Sequence, residues 1–206
     1  MIEAKVRARL GQFQLAAELN TSGVTCLSGK NGSGKTTLLR AIAGFLHVDD
    51  GYVKIGGVDV TRLPVENRGV VMVTPSSCFP HMEVDAHVVW GARLRKMRLS
   101  QEDVSRVKSE LGIDYGGSVR NLSLGMRERV ALATALLASP RAILVDDVFT
   151  SLHQREDVIA SYSRLVTERS IDLIFTCQDE ADGRLATQMY RMDNGSISGP
   201  KRPESS

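Results

Sequence analysis

The chain has 206 residues, of which 42% are hydrophobic and 24% charged, and a formal net charge of +2. This size and composition are typical of a protein that buries one full core, and the small net charge argues against a dedicated nucleic-acid binder. No apolar run approaches the ~18 residues that cross a bilayer. The three cysteines have neither metal nor disulfide spacing. We therefore expect a cytoplasmic protein whose role at a membrane is peripheral and depends on a partner.

The N-terminal part of the chain predicts two β-hairpins. Apolar and charged side chains alternate over residues 2–10, which predicts a half-buried strand with Leu10 on its buried face. Gly11-Gln12 follows as a turn, and a second strand then carries Phe13. Further along, Gly56-Gly57 separates two short β-rich runs and predicts another hairpin. We expect these hairpins to form an antiparallel β layer around the segment between them.

That intervening segment contains a glycine-rich loop. Residues 29–36 read GKNGSGKT, with the spacing Gly, four residues, Gly-Lys-Ser/Thr, between a short β-branched run and a helical run. The glycines let successive backbone N–H groups point at phosphate oxygens. Lys35 can then reach the β- and γ-phosphates, and the Thr36 hydroxyl can bind Mg²⁺. The predicted nucleotide-binding residues of this segment are Gly29, Asn31, Gly32, Ser33, Gly34, Lys35, Thr36 and Thr37.

Two adjacent carboxylates form a second candidate site. Asp146 and Asp147 directly follow residues 142–145, a continuous apolar run typical of a strand buried on both faces. In a phosphate-loop enzyme the first carboxylate holds Mg²⁺ opposite Thr36, and the second orients the attacking water. An acidic pair here would also suit a strand end that caps the next helix. Together with the loop, the pair favours a metal site at Thr36 and Asp146 and catalytic roles for Lys35 and Asp147.

The remaining elements predict the fold class. Residues from about 81 to 139 have a mainly helical pattern. Later predicted elements are an amphipathic helix at 158–166, a buried strand at 172–176 and a hairpin at 193–195. This order predicts an α/β domain with a mainly parallel central sheet, an antiparallel β subdomain and a helical subdomain at about 81–139. We expect one domain over residues 1–198 and a flexible tail over 199–206.

The chain resembles the ATP-binding cassette (ABC) ATPases from end to end. The segment NLSLGMRERVALATALLASP at 121–140 is similar to the family's signature helix, which begins with LSGGQ. The segment DDVFTSLH at 146–153 is similar to DEPFSALD, and TCQDEA at 176–181 to the switch segment THDxxEA. The runs RGVVMV at 68–73 and FPHM at 79–82 are similar to the Q-loop region of importer ATPases.

This resemblance implies a P-loop NTPase of ABC ATPase architecture that binds ATP and Mg²⁺ and powers transport through transmembrane subunits. It also implies a head-to-tail dimer, with itself or with another ABC ATPase. In that dimer Ser123 and Gly125 face the nucleotide held by the partner chain. Adenine stacking would involve Phe13, which is equally consistent with a core position. Within the family, LPVENR at 63–68 and FPHM are most similar to importers of oxyanions such as molybdate, tungstate or sulfate.

The same resemblance implies a groove that receives a short helix of a membrane subunit. The apolar residues expected there are Phe79, Pro80, Met82, Val84 and Trp90. Trp90 also suits a position inside the helical part, because tryptophan is mostly buried.

The departures from the family's pattern concern hydrolysis. Leu124 and Met126 replace the Gly and Gln of the signature, and Asp147 replaces the catalytic Glu. Cys177 occupies the catalytic switch position, where it cannot act as an imidazole donor. The Q-loop Gln has no counterpart near Thr74-Pro75. Two interpretations stay open: a divergent transporter motor with slower hydrolysis, and a degenerate cassette that acts as an ATP-gated interaction module.

Overall fold

Ten β-strands and five α-helices make up the described part of the chain, which in the computed structural model comprises residues 1–178 and 180–201. The strands are β1 (Ile2–Leu10), β2 (Phe13–Thr21), β3 (Val24–Ser28), β4 (Asp50–Ile55), β5 (Val58–Asp59), β6 (Val70–Val73), β7 (Ala142–Val145), β8 (Asp172–Cys177), β9 (Gln188–Asp193) and β10 (Ser196–Lys201). The helices are α1 (Lys35–Ala43), α2 (Val84–Leu94), α3 (Gln101–Glu110), α4 (Leu124–Leu137) and α5 (Arg155–Glu168).

The strands form one mixed sheet in the order β5-β4-β1-β2-β10-β9-β3-β8-β7-β6. The half that runs from β9 to β6 is parallel throughout. The strands β1, β2, β4 and β5 pair antiparallel. This arrangement confirms the predicted α/β class, with a mainly parallel central sheet and an antiparallel β layer. Because β3, β8 and β7 are parallel neighbours, the residues that follow their carboxyl ends meet at one edge of the sheet.

Buried apolar side chains hold the helices against this sheet in two clusters. One cluster joins α2, α4 and α5 to the parallel strands and includes the fully buried Tyr162 and Phe175. The other surrounds α1 and the antiparallel strands and includes Leu38 and Ile55. Each large apolar side chain buried in this way contributes about 1.5–3 kcal/mol. The loop between β3 and α1 therefore lies on a well-packed base.

The alternation predicted for β1 is confirmed except at its last residue. Buried side chains on the inner face are Ile2, Ala4, Val6 and Ala8. Leu10, predicted on that face, is 42% exposed. In the β1–β2 register Leu10 lies opposite Phe13, next to the turn at Gly11-Gln12. The hairpin extends past the core at this point, so the prediction for Leu10 is wrong.

Helices α2, α3 and α4 lie between β6 and β7, within the stretch that the sequence predicts to be helical. Ser123 is the N-cap of α4, since its Oγ accepts a hydrogen bond from the Met126 backbone N–H at 3.3 Å. Such a cap stabilises a helix by about 1 kcal/mol. The N-terminus of α4 is thus fixed at Ser123.

The C-terminal hairpin is longer than the sequence predicts. Strand β10 pairs with β9 and continues through Lys201. Residues 199–201 therefore belong to the sheet, which corrects the predicted start of a tail at 199. The rest of that predicted tail, 202–206, lies outside the described residues. Within the part of the chain that the structure describes, no helix is both long and apolar enough to span a bilayer.

Candidate nucleotide-binding site

The glycine-rich loop connects the end of β3 to the start of α1 in a conformation that requires glycine. Gly34 is the N-cap of α1 with φ 110°, and a Cβ there would lie 2.7 Å from Phe13 Cζ. Gly29 has φ 148°, and a Cβ there would lie 2.4 Å from the Met192 carbonyl oxygen. Both distances are too short for a real Cβ, so a side chain at either position would displace the loop. The loop therefore packs closely between the Phe13 ring and the backbone of β9.

Lys35 lies in the centre of this loop. It is 5% exposed, and its Nζ donates to the backbone carbonyls of Gly29 at 2.7 Å and Lys30 at 3.1 Å. A lysine ammonium has three protons, so one remains for an anion. The partial positive charge at the N-terminus of α1 adds to the same anion site.

Ser33 provides a direct indication that the loop suits a polar ligand. Its backbone carbonyl accepts a hydrogen bond from the Gly195 N–H at 2.8 Å, which ties the loop to the last hairpin. Its Oγ is buried and has no hydrogen-bond partner among the described residues. Because buried hydroxyl groups normally have a partner, this atom fits a phosphate-binding loop better than a purely structural turn.

The acidic pair lies across the sheet edge from the loop. Asp146 is 6% exposed, and burial raises the pKa of its carboxyl, although a hydrogen bond with the Thr36 side chain opposes that shift. Thr176 Oγ1 lies 3.3 Å from Asp146 Oδ1 and accepts the Asp147 backbone N–H at 2.8 Å. A carboxylate and a hydroxyl are hard oxygen ligands of the kind that Mg²⁺ prefers, and a cation beside Asp146 would favour its charged form. Thr36 and Asp146 therefore fit the metal role predicted for them.

Asp147 has an unusual backbone. Its φ is 54°, in the left-handed region, where aspartate is tolerated better than most residues. Thr150 Oγ1 donates to its carbonyl oxygen at 2.8 Å. Backbone held in this region is common at functional sites because the surrounding structure must impose it.

A cavity of about 360 Å³ brings eight of the predicted site residues together, whereas Gly29, Ser33 and Asp146 do not line it. Its walls are formed by Leu10, Phe13, Asn31, Gly32, Gly34, Lys35, Thr36, Thr37 and Asp147. Phe13 is half-buried: it packs against the core cluster around α1 and also lines the cavity. The cavity lining combines the apolar side chains Leu10 and Phe13 with the loop and a carboxylate.

Three predicted site residues lie outside the loop, the acidic pair and the cavity wall. Cys177 is 1% exposed and belongs to the core cluster beneath α4 and α5. It does not line the cavity, because side chains on both faces of the end of β8 are buried, so the predicted catalytic position offers no donor there. Ser123 and Gly125 start α4 and are also absent from the cavity wall. Within one chain the structure does not bring them to the loop.

Some contacts at the site join residues that are distant in the chain, and the sequence does not predict them. Leu10 lines the cavity although its alternation predicted burial. Thr176 Oγ1 contacts both the Asp146 carboxylate and the Asp147 backbone N–H. The sequence feature that could have indicated this role is a polar residue at the end of an apolar strand, β8, which pairs with β7. Met192 and Gly195 hold the loop from the last hairpin. No local pattern indicates those two contacts.

A second, apolar groove of about 380 Å³ lies between the helices and β6. Phe79, which is 47% exposed, packs against Trp90 with ring centroids 4.7 Å apart, and both line this groove together with Leu94. Val84, predicted in the same patch, is fully buried in the helical core. Its expected exposure is therefore wrong, since it occupies the first turn of α2 on the inward side.

Residues 13–150 match the family model described as ABC transporter. The chain belongs to the ABC transporter family. The match includes the glycine-rich loop, the helical region and both carboxylates of the acidic pair. The ABC resemblance of the motifs is thereby confirmed.

Two curated relatives extend the match over most of the chain. The molybdenum import ATP-binding protein ModC of Rhizobium meliloti is 33% identical over 209 residues, which cover 95% of this chain and 58% of that protein. The thiamine import ATP-binding protein ThiQ of a Jannaschia species is 33% identical over 204 residues, which cover 93% of this chain and 88% of that protein. The chain spans about half the length of the first curated relatives that it matches.

The fold is also that of solved ABC cassettes. The dimeric structure of MJ0796, a bacterial ABC transporter cassette, superposes with a TM-score of 0.83 at 20% sequence identity and covers all of both chains. At this identity the likeness establishes the fold. The predicted P-loop NTPase fold of ABC architecture is confirmed.

Proposed function

We propose that the chain is the ATP-binding subunit of an ABC importer and that it binds and hydrolyses MgATP to drive solute transport through membrane subunits. The observation that carries the proposal is the cavity in which Phe13, the loop and Asp147 meet. Adenine needs a flat apolar surface, a triphosphate needs converging donors, and hydrolysis needs an acceptor for the proton of water. The cavity lining offers all three groups.

Different residues of the chain bind the base, bind the phosphates and accept the proton. Phe13 and Leu10 offer the apolar surface for the base, while the backbone N–H groups of 29–36 and the third proton of Lys35 bind the phosphates. Asp147 accepts the proton of the attacking water. Thr36 and Asp146 would hold Mg²⁺, which when bound neutralises charge on the phosphate oxygens.

The assembly proposed for this subunit requires a second cassette. Ser123 and Gly125 lie outside the cavity of their own chain, and the capped end of α4 is a suitable donor surface for a phosphate held by another chain. A homodimer and a heterodimer with another ABC ATPase both supply this surface. The site with its complete donor set is then formed by two chains.

The proposed partner in the membrane is a transmembrane transporter subunit. The groove lined by Phe79, Trp90 and Leu94 offers an exposed apolar surface of the kind that receives a short helix. Docking there would place the chain on the cytoplasmic face of the membrane as a peripheral subunit. For the solute we propose an oxyanion, because the segments at 63–68 and 79–82 resemble oxyanion importers and the ModC relative is named for molybdenum import.

A second candidate is an ATP-gated interaction module with little hydrolysis of its own. The burial of Cys177 favours it, because the switch position then supplies no donor to the cavity. Leu124, which is 45% exposed at the start of α4, favours it as well, because its side chain adds bulk where a phosphate would approach the backbone.

Phosphate release distinguishes the two candidates. The full chain is assayed with MgATP, alone and together with candidate membrane subunits, and binding is measured in parallel with a fluorescent ATP analogue. The importer proposal predicts binding and turnover, with uptake of molybdate rather than thiamine into vesicles that contain the complex. Tight binding without phosphate release in either assay would establish the interaction module instead.

A further inference from the structure

Glu128 is a buried carboxyl in the second turn of α4, outside the cavity described above. It is only 1% exposed, although glutamate is almost never fully buried unless it is paired. Its Oε2 accepts a hydrogen bond from Ser151 Oγ, while its Oε1 has no hydrogen-bond partner among the described residues. Burial raises the pKa of this carboxyl, and the Ser151 hydrogen bond and the charge of Arg127 partly oppose that shift.

Ser151 belongs to the turn that follows the proposed catalytic carboxylate. In the 3₁₀ turn Phe149–Ser151, Thr150 Oγ1 donates to the Asp147 carbonyl oxygen, and Ser151 Oγ lies 3.2 Å from the Val148 carbonyl oxygen. The left-handed backbone of Asp147, with φ 54°, must be held by its surroundings. Through Ser151, Glu128 therefore holds the turn whose Thr150 hydroxyl is hydrogen-bonded to the Asp147 carbonyl oxygen.

Two further contacts join the same part of α4 to the same segment. Arg129 Nη2 donates to the His153 carbonyl oxygen at 3.1 Å. A Cβ at Gly125 would lie 3.6 Å from Leu152 Cδ2, so the backbone of α4 runs beside that side chain. These contacts would hold α4 against the segment after Asp147 even without the Glu128 carboxylate. A buried carboxylate with an unpaired oxygen is costly to the fold, and such costs are characteristic of functional positions.

We propose that Glu128 is a positioning residue for Asp147. By accepting the Ser151 hydroxyl, it holds the turn Phe149–Ser151 and keeps the Asp147 carboxylate facing the cavity. The inference rests on the proposed hydrolysis of ATP and adds a residue that acts on it through the turn, without touching the nucleotide.

The kinetic test uses the full chain and the variants Glu128→Ala, Glu128→Gln and Ser151→Ala, with Glu102→Ala on the exposed surface of α3 as control. We expect Glu128→Ala and Ser151→Ala each to lower kcat about tenfold while KM for ATP and analogue affinity change less than about twofold. Glu128→Gln should restore most of the loss, because its amide oxygen can still accept the Ser151 hydroxyl. The double alanine variant should be no slower than the slower single variant, since both remove one bond.

Amide hydrogen exchange gives a readout that does not depend on turnover. Exchange over residues 147–152 should be faster in Glu128→Ala than in the wild-type chain and unchanged over 29–36. Ser151 is exposed, so Ser151→Ala, with Ser151→Thr as its hydroxyl-retaining match, tests the bond even if Glu128→Ala does not fold.

Unchanged kcat in Glu128→Ala, additive losses, or no rescue by glutamine would overturn the positioning role. A wild-type chain that binds ATP but releases no phosphate would instead refute the proposed hydrolysis. In that case unchanged exchange over 147–152 would also refute the role of Glu128, and faster exchange would support it.

Discussion

Thr176 Oγ1 accepts the backbone N–H of Asp147 at 2.8 Å, so the end of β8 fixes the residue that follows the end of β7. The same oxygen lies 3.3 Å from Asp146 Oδ1. One buried hydroxyl thus orients both members of the acidic pair. It lies on the strand next to theirs, and it also helps to hold the left-handed backbone of Asp147.

We expect Thr176→Val to lower both stability and turnover. Valine keeps the shape of threonine but leaves the Asp147 N–H without its acceptor, and an unsatisfied buried group costs about 1–3 kcal/mol. Urea unfolding measures the loss of stability, and phosphate release measures turnover. Thr167→Val is the control, because the Thr167 hydroxyl donates to the Ser163 carbonyl in exposed helix and its loss should cost less than about 1 kcal/mol. Equal stability losses for both variants would contradict the role of Thr176.

We expect Lys35→Ala to abolish nucleotide binding. The change removes the ammonium that faces the phosphates and also its hydrogen bonds to Gly29 and Lys30, which shape the loop. Lost hydrogen bonds to a charged group cost about 1.5–3 kcal/mol each, so affinity should fall at least about 10²-fold. Titration with a fluorescent ATP analogue measures the change, with the exposed Lys5→Ala as control. Unchanged affinity in Lys35→Ala would refute the assignment of the site.

The parts of this site that could be predicted from sequence are those encoded locally. The loop at 29–36 and the pair Asp146-Asp147 each lie within a few residues, so their spacing alone indicates phosphate and metal chemistry. Leu10, Thr176 and the buried Cys177 could not be placed in this way. Their roles depend on which strands are neighbours and on where the hairpin leaves the core, and both are properties of the assembled sheet.

The same distinction applies to the fold. Alternation and turn residues identified β1, β2 and the last hairpin, because each depends on short-range patterns. The extent of β10 was missed because glycine and proline at 199–200 argue against a strand locally. Pairing with β9 shifts register after Ser198 and resumes at Lys201. The order of the ten strands rests on long-range contacts for which periodicity carries no signal.

His87 should make stability depend on pH. It is buried, its Nε2 accepts the Phe79 backbone N–H at 3.1 Å, and its Nδ1 lies 2.9 Å from Thr134 Oγ1. Burial lowers the pKa of His87 below its ordinary value of 6.5, so the unfolded chain takes up the proton first. The stability that neutral His87 contributes to the fold is therefore complete above pH 6.5. It is lost as the pH falls from there toward the lower pKa of the folded state.

Urea unfolding followed by the fluorescence of the single tryptophan, Trp90, measures this effect between about pH 7.5 and pH 5.5. In His87→Gln, whose amide can both accept and donate but does not take up a proton, the loss of stability on acidification should be smaller than in the wild-type chain. The exposed His81→Gln serves as control and should keep the wild-type slope. A wild-type slope in His87→Gln as well would show that His87 is not the group responsible.

Asp147→Glu tests whether the length of this side chain limits turnover. Glutamate extends the carboxylate by one methylene, and a misplacement of about 1 Å can cost about 10²-fold in rate. The left-handed backbone opposes the change, because glutamate tolerates φ 54° less well than aspartate does, at a cost to stability of about 1 kcal/mol. We expect kcat for phosphate release at saturating MgATP to rise about tenfold.

Asp147→Asn is the matched control, since it keeps the size and the backbone preference but removes the charge. It should lose about 10²-fold in kcat and retain ATP affinity. Adding Cys177→His to Asp147→Glu should bring no further gain, because position 177 is 1% exposed and a larger ring there overpacks the core by about 1–3 kcal/mol. If Asp147→Glu is no faster than the wild-type chain, the reach of the carboxylate does not limit hydrolysis. The slow step then lies with the altered signature at Leu124 or with the missing switch donor.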